Sequence, residues 1–126
     1  MLAGSSNEDV WAGGAGGVSH YDGQVWRSSP TAPANVQSLW ARSPRDVWAV
    51  TSNSEVYRYD GSSWSRSDEA SALGMMFYVG GHPDYNGIWL VGLGKGETQK
   101  YLFKFENNAF VKKVPFRDTM FATSNV

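Results

Sequence analysis

Three acidic residues, Asp22, Asp60 and Glu106, recur at one place in a repeating pattern, each four residues before a large aromatic: Trp26, Trp64 and Phe110. Carboxylates serve as general acids, bases or nucleophiles, and glycosidic hydrolysis needs two of them on either side of one bond. Here each acid is followed directly by Gly23, Gly61 or Asn107, the residue types that best tolerate positive φ. That pairing is turn chemistry, in which an acid at the turn start accepts backbone N–H bonds. One acid per repeat places the three on separate units, with no pair across a common bond.

The other chemically capable residues are few. His20 takes the slot held by Arg58 and Lys104 in the other repeats, a polar outward position on a strand, and is expected to be exposed with no carboxylate beside it. His82 precedes Pro83 in a loop. There is no HExxH, no close histidine pair and no EF-hand loop. With no cysteine, disulfides and thiolate metal sites are excluded. The run Gly13-Gly14-Ala15-Gly16-Gly17 has the composition of a phosphate cradle, but no helix and no Lys-Ser/Thr follow it. Its counterparts, Thr51 to Ser54 and Gly92 to Thr98, read as hairpin loops, the third lengthened and so a place where binding can be grafted. No catalytic residue, metal ligand or cofactor site emerges. The candidate ligand-binding set is Trp40, Arg42, Tyr78 and His82. Trp40 either packs between repeats or joins the other three as a platform on which a sugar stacks, in keeping with the enrichment of Trp, Tyr and Arg at binding sites.

These residues are positioned by a repeat. Asp9 to Trp26 (DVWAGGAGGVSHYDGQVW) and Asp46 to Trp64 (DVWAVTSNSEVYRYDGSSW) are close copies, and Gly87 to Phe110 is a looser third. Trp11, Trp48 and Trp89 correspond, as do Tyr21, Tyr59 and Phe105. Upstream, Leu2-Ala3-Gly4, Leu39-Trp40-Ala41, Tyr78-Val79-Gly80 and Met120-Phe121-Ala122 align, each with a small third residue. In the second repeat the strands are expected at Val36 to Ala41, Asp46 to Val50, Glu55 to Tyr59 and Ser63 to Arg66. One helical turn fits within 68–77, ended by Gly74. A repeat near forty residues with four strands is the mark of β-propeller blades. The expected fold is therefore all-β: a partial β-propeller of about three four-stranded antiparallel blades plus the first strand of a fourth. The repeats run over about 1–33, 34–72 and 73–116, with the fourth opening at 117–126, and the three tryptophans pack blade against blade.

The string Asp-Val-Trp-Ala, a Gly- or Ser-rich gap and then Tyr-Asp-Gly-x-x-Trp resembles the propeller repeats of large bacterial proteins, many of them secreted or on the surface. It is similar in role to the Asp-box of sialidases and of photosystem II assembly factors. The Asp-Gly here is one residue shorter than the Asp-box turn. The resemblance implies a propeller, an extracellular or surface location, and a structural role for Asp22 and Asp60.

The function expected is a non-enzymatic interaction module for a protein or a glycan. The alternatives are a piece of a sialidase-like glycoside hydrolase or lyase, or an assembly factor. A net charge of −1 with scattered basic residues gives no footprint for nucleic acid. No apolar run approaches the ~20 residues of a membrane span, and the N-terminus carries no signal-peptide pattern. Three blades leave two open edges, so the further expectation is that the chain is a fragment of a larger exported or surface protein, or that two copies associate into a six-bladed ring with 118–124 donated as an inner strand.

Overall fold

Alternating side chains and a turn residue every few positions favour strands that bury one face and fold straight back on their predecessor. The structure, a computed structural model, describes residues 1–82 and 85–115. Within them β1 (Leu2–Ser6), β2 (Asp9–Gly14), β3 (Gly17–Tyr21) and β4 (Trp26–Ser28) form a first sheet. A second holds β5 (Val36–Ser43), β6 (Asp46–Thr51), β7 (Val56–Tyr59) and β8 (Trp64–Arg66). A third holds β9 (Gly74–His82), β10 (Tyr85–Gly94), β11 (Lys100–Glu106) and β12 (Ala109–Pro115). Every pairing is antiparallel between chain neighbours. The expected all-β chain of four-stranded antiparallel sheets is what forms. The expected fourth repeat, at 117–126, lies outside the described residues.

The second sheet matches the expected strands to within two residues at each end. Its first turn tightens, because β5 runs on to Ser43, which pairs with Asp46 around Pro44-Arg45. The single helical turn, α1 (Asp68–Ser71), is capped by Ser67, whose Oγ accepts the Ala70 N–H. In the third sheet β10 reaches Gly94 and β11 starts at Lys100, so the long loop spans 95–99.

The acid-led turns form as expected. Gly23 and Gly61 take φ of 99° and 103°, and Asn107 takes 50°. Asp22 Oδ1 accepts from Gln24 and Val25 N–H, and Asp60 Oδ1 from Ser62 and Ser63 N–H, all between 2.8 and 3.0 Å. These bonds favour the charged form. The Val25 N–H, then that of Gln24, holds the Asp22 carboxyl below its ordinary value, and the Ser63 and Ser62 N–H groups do the same for Asp60. A carboxyl depressed on folding contributes stability above its unfolded pKa and loses it as pH falls through the folded one. Between about pH 5 and 2, stability should therefore fall less in the Asp22→Asn/Asp60→Asn double variant than in the wild type. Urea midpoints across that range check it, and parallel curves would show that the turns do not couple to protons.

Sheets stack in chain order. Trp11 and Val18 of the first sheet form one buried cluster with Leu39, Val47, Ala49 and Trp64 of the second. Trp48, Val50 and Val56 of the second join Met76, Ile88, Leu90, Phe103 and Phe110 of the third. The first strands of neighbouring sheets are tied together as well. Ser38 Oγ donates to the Val79 carbonyl at 3.1 Å and accepts the Val79 N–H at 3.0 Å, both buried. Ser38→Ala leaves a buried donor and acceptor without partners, so a loss of about 1–3 kcal/mol in urea denaturation is expected.

Two expectations need correction. Gly80, not Val79, pairs with Trp89, as Ala3 pairs with Trp11 and Trp40 with Trp48. The small-residue frame in the third sheet is therefore Val79-Gly80-Gly81, one residue later than the sequence alignment had it. Trp89 differs from Trp11 and Trp48: it is only partly buried and sits outside both clusters, since it faces away from the second sheet.

Candidate functional site

Each sheet sets the tryptophan of its second strand directly opposite a cationic or ionisable residue of its third: Trp11 against His20, Trp48 against Arg58, Trp89 against Lys104. The His20 ring stacks on Trp11 with centroids 3.9 Å apart. Arg58 lies 4.8 Å over Trp48, and Lys104 Nζ 5.4 Å over Trp89. These are stacking and cation–π geometries.

In the first two sheets a carboxylate two residues before the tryptophan completes the arrangement. Asp9, buried, accepts from Trp11 Nε1 at 3.1 Å and lies 2.6 Å from His20 Nε2, while Ser5 Oγ donates to its other oxygen. His20 therefore has a carboxylate partner and is only partly exposed, contrary to the exposed, unpartnered position expected from sequence. Ser, Asp and His meet here in the wrong order for acyl transfer. The hydroxyl bonds the carboxylate rather than the imidazole, so no base is set to take its proton. In the second sheet Asp46 is drawn away from the indole: it pairs with Arg42 and with Arg58, the latter at 2.9 Å. The buried Trp48 Nε1 is left without a partner. The third sheet has Gly87 at this place and so lacks the acid.

Of the candidate ligand-binding residues Trp40, Arg42, Tyr78 and His82, Tyr78 stands apart from Trp40, and the side chain of His82 lies outside those described. Trp40 lies on the side of β5 facing the third sheet, packed against the second cluster, and a Cβ on Gly81 would come within 2.5 Å of its Nε1. It fills space between sheets rather than offering a free stacking face. Arg42 is ion-paired with Asp46. Tyr78 pairs with Val91, one residue out of phase with the core residues Val79 and Leu90, so it leaves the opposite face of the third sheet and is half exposed. His82 closes β9.

Tyr78 instead belongs to a groove of about 370 Å³ lined also by Gln37, Phe77 and Lys100. The register slips between Tyr78 and Met76 opposite Val91 and Gly92, and Phe77 is the extra residue of that bulge. Bulges re-aim side chains, and this one turns two consecutive aromatics toward the groove. Gln37 of β5 holds the bulge by donating from Nε2 to the Phe77 carbonyl at 3.1 Å, and Lys100 Nζ stands 5.9 Å from the Phe77 ring. Sequence reasoning missed Gln37, Phe77 and Lys100. The available signal was the pair Phe77-Tyr78 ahead of the small-residue frame, where the other repeats carry one aromatic at most.

Among the described residues no three His, Asp or Glu side chains gather where they could hold a metal ion, and no helix is long and apolar enough to cross a membrane. No family model matches the chain, and no curated protein matches it.

Proposed function

We propose that the chain is a β-propeller segment acting as a non-enzymatic interaction module, with the Gln37–Phe77–Tyr78–Lys100 groove as its contact point for a protein or glycan. Three meander sheets stacked in chain order, joined by the same tryptophan-to-aromatic packing at each junction, support the propeller reading. The groove supports the binding reading. It sets two aromatic rings, one half exposed, beside an amide and an ammonium, where the first strands of two sheets run side by side. Recognition sites have this composition, with rings for stacking and a few polar groups for orientation. The non-enzymatic reading is supported by how the acids are used. Asp9 and Asp46 are tied to indole, imidazole and guanidinium groups, and Asp22 and Asp60 close turns.

A glycan array and a pull-down with immobilised protein test the reading, each repeated with Tyr78→Ala. Captured ligand that Tyr78→Ala releases at least about tenfold more readily is the expected result. Blank arrays and pull-downs, or capture indifferent to Tyr78, would refute it.

A further inference from the structure

Each junction between sheets has a donor side and a receptor side. On the donor side a tryptophan is backed by its cross-strand partner: Trp11 by His20, Trp48 by Arg58. On the receptor side an aromatic pair flanks the last hairpin of the next sheet. Trp11 meets Tyr59 at 5.0 Å and Trp64 at 5.9 Å, the latter edge to face. Trp48 meets Phe105 at 5.3 Å and Phe110 at 5.4 Å, again close to perpendicular for Phe110. The order never reverses: sheet n supplies the indole and sheet n + 1 receives it.

Among the described residues this leaves one half without a partner at each end of the stack. The outer face of the third sheet carries a donor, Trp89 backed by Lys104, with Val91 and Val111 beside it in the same register. The outer face of the first sheet carries a receptor, the pair Tyr21–Trp26 with centroids 5.5 Å apart. That receptor repeats the second sheet's residue by residue. Leu39, Val47, Ala49, Tyr59 and Trp64 build the face that buries Trp11, and Leu2, Val10, Ala12, Tyr21 and Trp26 stand at the same register positions. The two sets are identical in residue type. Their exposure is not: Trp64 is 6% exposed and Leu39 4%, but Trp26 is 51% and Leu2 68%.

We infer that a second copy of this chain docks head to tail, its Trp89–Lys104 face entering the Leu2–Val10–Ala12–Tyr21–Trp26 face of the first. The occupant is read from continuity: the surface that fills such a receptor inside the chain is a tryptophan backed by a cross-strand ionisable residue, and the chain's other end presents one. Such an interface is heterologous, joining different patches on the two partners. Two copies joined at both ends close a ring of six sheets, within the range known for propellers. The inference rests on the junction geometry and not on the Tyr78 groove.

Size-exclusion chromatography with light scattering on the 126-residue chain tests it. The wild type is expected to run as a dimer at micromolar concentration. Trp26→Gln, at an exposed position, and Val111→Glu, on the exposed part of the donor face, should each run as a monomer, with association weakened about 30-fold or more. Mixed together they should pair one to one, because each lacks a different half and one intact junction remains. Circular dichroism confirms that both variants keep the strand signal. A monomeric wild type overturns the inference. So does dimerisation that neither variant weakens, or two monomeric variants that fail to pair when mixed.

Discussion

Trp48→Ala is expected to cost about 3–5 kcal/mol, the range for deleting a large aromatic from a packed core. The indole is 2% exposed and lies where two sheets meet, against Phe105 and Phe110 on one side and beneath Arg58 on the other. Its removal opens a cavity lined by groups on different sheets, which cannot close without shifting one sheet against the next. Trp48→Phe is the informative companion. The Trp48 N–H is buried and unpaired, so phenylalanine loses volume but also removes an unsatisfied donor, and the penalty should fall well below that of alanine. Urea denaturation of all three proteins checks both statements. A Trp48→Ala midpoint equal to the wild type would mean that the second junction contributes nothing to stability.

The second large effect is expected at Gly74, where the chain leaves α1 and enters β9. Its φ of 150° is one that L side chains rarely adopt, and a Cβ there would overlap the carbonyl oxygen of Leu93 across the strand pair. The obstacle is backbone, so no side chain can swing aside to make room. Backbone strain of this kind costs of order 1–3 kcal/mol before the overlap is counted, and Gly74→Ala should cost about 3 kcal/mol or more in the same assay. Gly14 is the control. Nothing lies near its added Cβ, and Gly14→Ala should leave the midpoint within about 0.5 kcal/mol. Equal effects at the two positions would rule out the contact as the cause.

The strands were legible because their signals are local. Gly23, Gly61 and Asn107 mark turns by φ preference alone, and all three have positive φ in the structure, as does Asn108. Trp11 and Trp48 could be placed in the core because one repeat cannot bury its own aromatics. What failed depended on contacts across strands. The tie between Asp9 and His20 spans eleven residues, and in the sequence Asp9 marks only where the repeat begins. A sharper comparison of repeats held the signal: an acid two residues before Trp11 and Trp48 goes with His20 and Arg58, while Gly87 goes with Lys104. The frame of β9 slipped because Gly80 and Gly81 are equally small, and only the bulge at Phe77 and the pairing with β10 decide between them. Tyr78 is separated from Trp40 by β9, because it leaves the opposite face of the third sheet. Of the groove only Tyr78 was legible, since Gln37 and Lys100 belong to different repeats and line one groove only when two sheets stack.

The direction of the junctions also bears on how the chain is made. Trp11 is covered by Trp64, and Trp48 by Phe110, in each case by residues translated later. At ribosomal rates of ~5–20 residues per second, an indole that must wait for a residue roughly 50–60 positions downstream stays uncovered for about 3–12 s. A donor indole thus stays uncovered during synthesis until the sheet that receives it has been made.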